Sequence, residues 1–398
     1  MISAIGIIWI FLQIVIGYNL VLPFVLYLLH LLKRNKTLPK AETFVADYGV
    51  IVTAYEQTDS LPAVVNSLLS LNYSNYVIYI VADKCDIRDL KFKSEKVIIL
   101  KPQEELRSNI KSHFFAINNF VRPHNLLTII DSDNLVDVFY LTELNKWFAK
   151  GYKAVQGSRL AKNLDTTYSC LDAARDIYYH FYDGKILFDL KSSATLAGSG
   201  MAFHTSLYKD CLETSQIQGA GFDKVLQSEI VGRNLQIAFA ESAIVYDEKT
   251  SKPAQLVQQR SRWINTWFKY FRFGFKLVYK GINNLSINQF LFGIILLRPP
   301  LFIFLIISII ALVLSFWIST VAFVIWIIAF IIFVLSFLIA LLQSNTDRKI
   351  YYSLINIPKF IFFQVLSLLK VRKANNYSVS TPHYHQDSLG KTNPASKK

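Results

Sequence analysis

Asp131 and Asp133 stand one residue apart directly after the apolar run Leu126–Ile130, which places two carboxylates on one side of the chain as it leaves a strand. Hard divalent cations such as Mg²⁺ or Mn²⁺ take oxygen ligands of this kind, commonly one or two carboxylates completed by phosphate oxygens and water. A bound diphosphate would close such a site. The same pair also suits a helix N-cap with a neighbouring surface acid, and about one Asp-x-Asp arises by chance in a chain this long. Gln259-Arg260-Ser261-Arg262-Trp263 carries more information, because Gln, Arg and Trp meet at this spacing in roughly one chance sequence in a hundred. Cys85, Cys170 and Cys211 lie far apart and include no Cys-x-x-Cys pair, so neither a thiolate metal site nor a disulfide framework is expected, and a reducing compartment is. His383 and His385 sit in a polar tail and read as solvated.

The elements that must hold these residues follow from the apolar runs. Tyr48–Thr53, Tyr76–Val81, Val97–Leu100 and Leu126–Ile130 read as strands, alternating with helices that start near Ser60-Leu61-Pro62 and around Lys111–Phe120. This is an α/β pattern, with a mainly parallel sheet covered on both faces. Ligands of such sheets bind beyond the carboxyl ends of the strands. The polar residues there are Thr53-Ala54-Tyr55-Glu56, Ala82-Asp83-Lys84-Cys85-Asp86 and Asp131-Ser132-Asp133-Asn134.

The whole chain is 53% hydrophobic and 18% charged, against about 25% charged in a typical soluble domain. Met1–Leu32 holds no charged side chain and is long enough to cross the roughly 30 Å hydrocarbon layer as a retained helix. Lys33, Arg34, Lys36 and Lys40 follow it, which directs the following domain to the cytoplasm. Pro299–Ser344 is uncharged, long enough for a helical hairpin with a break near Ser315–Thr320, and flanked by Arg298 and by Arg348-Lys349. Trp263–Lys280 reads as an amphipathic helix at the headgroup layer, with Lys269, Arg272, Lys276 and Lys280 as one cationic stripe. Tyr351–Leu369 reads as a further interfacial helix. The expected domains are 1–40, a helix and basic linker; 41–262, the soluble α/β domain; 263–285, interfacial; 286–344, the hairpin; and 345–398, an interfacial helix with a flexible basic tail. The excess of 42 basic over 28 acidic residues, +14, is concentrated in Lys33–Lys40, Lys269–Lys280 and Lys370–Lys398 beside apolar segments. It therefore indicates membrane lipid as a partner and not nucleic acid.

Gln259-x-x-Arg262-Trp263 resembles the Gln-x-x-Arg-Trp signature of membrane-bound family 2 glycosyltransferases, the group of cellulose, chitin, hyaluronan and poly-N-acetylglucosamine synthases. The resemblance runs over about residues 44–265 and implies a GT-A fold, a Rossmann-like sheet that binds a nucleotide-diphosphate sugar. It implies donor contacts from Thr53, Ala54, Tyr55 and Glu56, with the Tyr55 ring near the base. Asp83 would read uracil or ribose, Lys111 would lie near the diphosphate, and Gly198-Ser199-Gly200 would border the donor sugar. Asp131 and Asp133 would hold Mg²⁺ or Mn²⁺. Asp223 falls where the family carries its catalytic base in Thr-Glu-Asp, but here the local sequence is Gly221-Phe222-Asp223, without the Glu.

Transfer to an alcohol needs a carboxylate to take the hydroxyl proton, the role that the resemblance gives Asp223. Displacement with one base inverts the anomeric carbon. Arg262 would add donors at the departing diphosphate, and Trp263 with Gln259 would offer a stacking face and hydrogen bonds to an acceptor sugar. The expected acceptor is a glycan, in cell-envelope or extracellular polysaccharide synthesis, or a lipid. Three spans are too few to enclose an export channel, so a glycan product requires self-association or an export partner. Each residue also has a plainer reading: Tyr55 as a core aromatic, Asp83 and Asp86 as an Asx turn, Gly198 and Gly200 as a loop, Asp223 as an N-cap, Trp263 as an interface anchor, Lys111 as a surface lysine. Phe222 in place of the family's Glu is the one feature that suits a non-catalytic membrane scaffold keeping the fold, and the joint presence of Asp131, Asp133, Asp223 and Arg262 argues against it.

Overall fold

The computed structural model describes residues 4–33 and 45–371, apart from 216 and 218. Arg34, Lys36, Lys40, the tail with His383 and His385, and the basic run up to Lys398 lie outside the described residues. The uncharged N-terminal run is a single helix, α1 (Ala4–Leu32).

Four apolar runs form parallel strands in the order β3-β2-β1-β4: β1 (Tyr48–Tyr55), β2 (Tyr76–Asp83), β3 (Val97–Leu100) and β4 (Leu126–Asp131). β-Branched residues succeed one another in them without polar alternation, because both faces of the sheet are covered. α2 (Leu61–Leu69) packs on Val50, Val52, Ile78 and Ile80, and α3 (Asn109–Asn118) packs on the opposite face with Ile51, Tyr79 and Val81. The register sets Tyr55 opposite Asp83 and Thr53 opposite Asp131. The polar strand ends thereby meet at one edge.

The rest of the sheet is less parallel than expected. β5 (Leu135–Val136), β6 (Ala154–Ala161), β7 (Met201–His204) and β8 (Ile237–Asp247) extend the order to β3-β2-β1-β4-β7-β6-β8-β5, with antiparallel pairs at β4–β7, β6–β7 and β5–β8. The cause is local. Gly200 donates its N–H to Ile129 at the carboxyl end of β4, so the chain enters β7 from that end and must run back along β4. The result is the mixed, GT-A-like sheet.

α4 (Tyr140–Phe148) covers one face; α5 (Thr167–Tyr179) begins at a Thr166–Ser169 capping box and runs through a π-helical stretch, His180–Ile186, into α6 (Leu187–Asp189). α7 (Thr205–Leu212) and α8 (Phe222–Gly232) share the core of α3. α9 (Pro253–Tyr270) then stops, and α10 (Phe273–Asn283) starts after a turn at Phe271-Arg272. The expected single helix Trp263–Lys280 is therefore two, and residues 262 and 263 are mid-helix neighbours. The cationic stripe is divided as well, since Lys280 Nζ turns to the Gly232 carbonyl (3.1 Å).

α11 (Ile287–Leu297) returns along α10, and α12 (Leu301–Ile318) and α13 (Thr320–Gln343) follow, separated at Ser319. Gly6–Leu32, Leu301–Ile318 and Thr320–Gln343 are long and apolar enough to cross a membrane. They are joined internally by Trp326 Nε1 donating to Gln13 Oε1 (2.8 Å), and to the sheet domain by Tyr182 Oη donating to the Ser336 carbonyl (2.9 Å). α14 (Arg348–Ser353), a 3₁₀ turn and α15 (Ile357–Leu368) complete the described chain. The 12 residues of α15 reach about 18 Å, short of a bilayer core, and pack on Tyr168 and Leu256.

Candidate active site

Beyond the ends of β1 and β2, Tyr55 Oη donates to Glu105 (2.6 Å) and Lys84 bridges Glu56 (2.7 Å) and Glu105 (3.3 Å). Hydrogen bonds from Arg107 and Tyr55 lower the Glu105 carboxyl to about 2. Asp83 is 3% exposed, and its two oxygens accept from the main-chain N–H groups of Leu106 (3.0 Å) and Arg107 (2.9 Å). It clamps the loop after β3 to the end of β2.

The Asp131–Asp133 turn is held from below by Ser199, which is fully buried. Its Oγ accepts the Asp131 N–H (3.1 Å) and donates to the side-chain oxygen of Asn134 (2.8 Å). In that orientation the Asn134 amide donates to Asp133 Oδ1 (3.1 Å) and Asp247 Oδ1 (3.3 Å). The turn and the glycine segment are thus one hydrogen-bonded unit. Gly200 is at φ 67°, and a β-carbon there would approach Val245 to 3.0 Å, so glycine is required by both conformation and space.

Gln259, Arg262 and Trp263 sit on α9, and their neighbour Arg260 is the most deeply buried of the group at 2% exposed. Arg260 pairs with Asp172, Arg175 with Asp172 (3.2 Å), Arg159 with Asp247 (2.7 Å), and Lys249 with Asp247 (2.7 Å) and Asp176 (2.5 Å). Thr250 Oγ1 lies 2.8 Å from Asp172 and 3.1 Å from Gln259 Oε1, linking the motif to this network. Burial alone would raise the Asp176 carboxyl, but the charges of Arg175, Lys249 and Arg159 hold it well below its usual range. Burial and the nearby Arg175 charge push Arg260 down to about 10, and burial also lowers Arg262. Both remain cations at neutral pH.

Asp223 lies in the first turn of α8, 2.9 Å from Lys224 Nζ. The N-cap is instead Gly221 at φ 102°, where a β-carbon would stand 2.6 Å from Tyr270 and 2.7 Å from Thr266. Glycine is therefore needed to bring the Asp223 loop against α9. One cavity of ≈ 630 Å³ collects Thr53, Tyr55, Asp131, Asp133, Gly198, Asp223, Gln259, Arg262 and Trp263. Ala54 is buried in the core, Glu56 is exposed and paired with Lys84, Lys111 is exposed on α3, and these three with Asp83, Ser199 and Gly200 are outside its lining. Asp83 and Ser199 direct their polar atoms to the protein itself.

The sequence profile described as "Glycosyltransferase like family 2" matches residues 46–266, more than half of the chain. The chain belongs to this family. Among solved structures, this family 2 chain is similar to the mannosyltransferase PcManGT from Pyrobaculum calidifontis in complex with GDP-Man and Mn2+, with 13% identity, TM-score 0.54, and 90% of this chain and 98% of that one covered. It is also similar to TarS 1-349 of S. aureus in complex with UDP-GlcNAc, with 12% identity, TM-score 0.43, and coverage of 82% and 92%. No curated protein matches the sequence. At the identity of the mannosyltransferase, the likeness is one of fold.

Within this glycosyltransferase, several cavity residues carry no motif: Arg159, Arg175, Asp176, Asp183, Lys224 and Asp247. Only the spacing of Asp172, Arg175 and Asp176 on one helix face hinted at a paired cluster, and nothing in it indicated the partners on β6, β8 and α9. The donor set of Asp131 and Asp133 fits a hard cation. Both carboxylates line the cavity, where diphosphate oxygens would complete the oxygen set that such a cation takes.

Proposed function

We propose that the chain is an inverting hexosyltransferase of membrane-bound type, related to the polysaccharide synthases of family 2, that moves a sugar from a nucleotide-diphosphate donor, a UDP-sugar in the first instance, to an acceptor hydroxyl. The observation that carries this reading is the single cavity shared by Asp131, Asp133, Asp223, Gln259 and Arg262. Thr53, Tyr55 and Gly198 line the same space and bind the donor. Asp131 and Asp133 hold the divalent cation, which when bound supplies Lewis-acid neutralisation of the diphosphate. Asp223 accepts the proton of the acceptor hydroxyl as that oxygen bonds to the anomeric carbon. The bond from that carbon to the diphosphate oxygen breaks, and the nucleoside diphosphate leaves toward the Arg262 guanidinium. Lys224, 2.9 Å from Asp223, orients the carboxylate.

The protein is read as multi-pass in the plasma or inner membrane, with residues 41–262 in the cytoplasm and the acceptor a glycan or lipid-linked saccharide of envelope or extracellular polysaccharide synthesis. A glycan product would call for association of copies or an export subunit. The test is turnover of a nucleotide-sugar panel, including GDP-Man and UDP-GlcNAc, by the purified full chain with Mn²⁺ or Mg²⁺. Asp223→Asn should lower turnover by about 10²–10⁴-fold while donor binding persists. Absence of binding to every donor, or undiminished turnover by Asp223→Asn, overturns the reading.

A further inference from the structure

Asp133 is held from two sides by residues that belong to no motif. β6 and β8 run parallel and end together beside the Asp131–Asp133 turn, with Arg159 level with Val245 and Ala161 level with Asp247. This register brings Lys162 and Asp247 to the turn. The Lys162 N–H donates to the Asp247 carbonyl (2.8 Å), and Lys162 Nζ donates to the Asp133 carbonyl (3.3 Å). On the carboxylate side, the Asn134 amide nitrogen donates to Asp133 Oδ1 (3.1 Å) and to Asp247 Oδ1 (3.3 Å). The opposite orientation of this fully buried amide would set its oxygen against two carboxylates. One NH₂ group therefore fixes the Asp133 carboxylate relative to Asp247.

Asp247 is suited to be an anchor and not a metal ligand. Its Oδ2 accepts from Arg159 Nη2 (2.7 Å) and Lys249 Nζ (2.7 Å), so the charge at that oxygen is already matched by two cations, and Oδ1 serves Asn134. The two cations are fixed in turn. Arg159 Nη1 donates to the Ala197 carbonyl ahead of the glycine segment, and Lys249 Nζ reaches Asp176 of α5 (2.5 Å). Asp176 also pairs with Arg175, whose guanidinium lies 4.3 Å from the Trp263 ring centroid. One buried network of charges thus joins the carboxylate turn to the Gln-x-x-Arg-Trp helix. Carboxylates that ligate a metal are themselves oriented by hydrogen bonds, and such outer partners commonly change metal affinity or activity by about 10–100-fold.

We propose that Asp247 is a positioning residue for the divalent cation: through the Asn134 amide it sets the orientation in which Asp133 binds metal. This rests on the transfer reading above, in which Asp131 and Asp133 hold the cation, and extends it to the end of β8. Asp247 touches neither the metal nor the reacting atoms. It acts through one hydrogen-bonded link, while Lys162 steadies the main chain of the same aspartate.

The experiment uses the full chain in lipid nanodiscs with saturating UDP, and follows bound Mn²⁺ by the loss of the free-ion electron paramagnetic resonance signal, so that no turnover is needed. Asp247→Ala should raise the Mn²⁺ dissociation constant about tenfold, while the affinity for UDP in EDTA stays within about twofold. Asn134→Leu should weaken the metal to a similar degree. Because both substitutions break the same link, the double variant should bind Mn²⁺ no more weakly than Asn134→Leu alone. Asp247→Ala combined with Lys249→Met removes the opposed charges together, and gives the same reading if the single variant does not fold. Mn²⁺ affinity unmoved by loss of Asp247, or losses that add in the double variant, overturn this proposal alone, the second by showing that Asp247 acts through its charge or as a ligand. Failure of the unaltered chain to bind any nucleotide or nucleotide sugar with Mn²⁺ overturns the transfer reading and this proposal together.

Discussion

The Arg260 guanidinium stands 4.1 Å from the centre of the Trp263 ring, and Arg175 stands at 4.3 Å. Two cations and one ring on α5 and α9 thus form a stack that orders the basic wall of the cavity. Cation–π contacts that are partly desolvated contribute roughly 1–2 kcal/mol. Trp263→Leu should therefore lower donor hydrolysis in the absence of acceptor about tenfold. If Trp263 serves only the acceptor, that hydrolysis will not change.

Arg260 and Asp172 form a pair whose side chains are 3% and 4% exposed. Removing one member leaves a buried charge without compensation, at a cost of about 3–5 kcal/mol. Asp172→Asn should lower the thermal midpoint of the detergent-solubilised protein sharply, and adding Arg260→Gln should recover part of the loss. Unchanged midpoints for the single variant would show the pair to be solvated.

His113 is packed on Phe222 (ring centroids 5.0 Å apart) and bonded to Tyr208 Oη (2.7 Å). Burial lowers its pKa from 6.5 to about 3. Between those values the unfolded chain binds a proton that the folded chain refuses, so this group's contribution is complete above pH 6.5 and is lost as the pH falls toward 3. Stability should decline by up to ~1.4 kcal/mol per pH unit from this residue. The double variant His113→Phe, Tyr208→Phe should flatten the decline, which urea titrations at pH 4.5, 5.5 and 7 will measure.

Ser199 supports the Asp131–Asp133 turn without entering the cavity. Ser199→Ala removes its bonds to the Asp131 N–H and to Asn134, worth ~1 kcal/mol each. The expected outcome is a Mn²⁺ requirement shifted about fivefold or more to higher concentration, read as the half-saturating metal for donor hydrolysis, with maximal rate at high metal largely restored.

Gly221→Ala imposes φ 102° on an alanine and drives its β-carbon to 2.6 Å from Tyr270. The left-handed conformation alone costs ~1–2 kcal/mol. The loop should retreat from α9 and carry Asp223 with it. Transfer should fall by more than tenfold while the affinity for UDP or GDP, measured by calorimetry, stays within about twofold.

Much of the frame was legible because it depends on local pattern. Runs such as Val50–Val52 and Ile78–Val81 are apolar at every position, which only strands buried on both faces require, and the spans need only length and absence of charge. The antiparallel β7 was not legible: Met201–His204 is four residues whose direction depends on where Gly200 meets Ile129. Nor was the break at Phe271-Arg272, since the aromatic and basic spacing of Trp263–Lys280 continues across it. Lys280 fits a stripe in sequence, yet the Gly232 carbonyl claims it in space.

By itself the sequence determined the α/β alternation, the apolar segments and the chemistry offered by Asp131, Asp133, Asp223 and Arg262, because residue type and near-neighbour spacing are enough to set those. Tertiary structure alone decided which candidates face a common cavity. Asp83 is drawn to the amides of Leu106 and Arg107, Ser199 is placed beneath a turn, and Trp263 is engaged by Arg175 and Arg260, all through contacts between distant parts of the chain. A buried polar group must find a partner, and that partner is set by the packing of whole elements, which no spacing along the chain encodes.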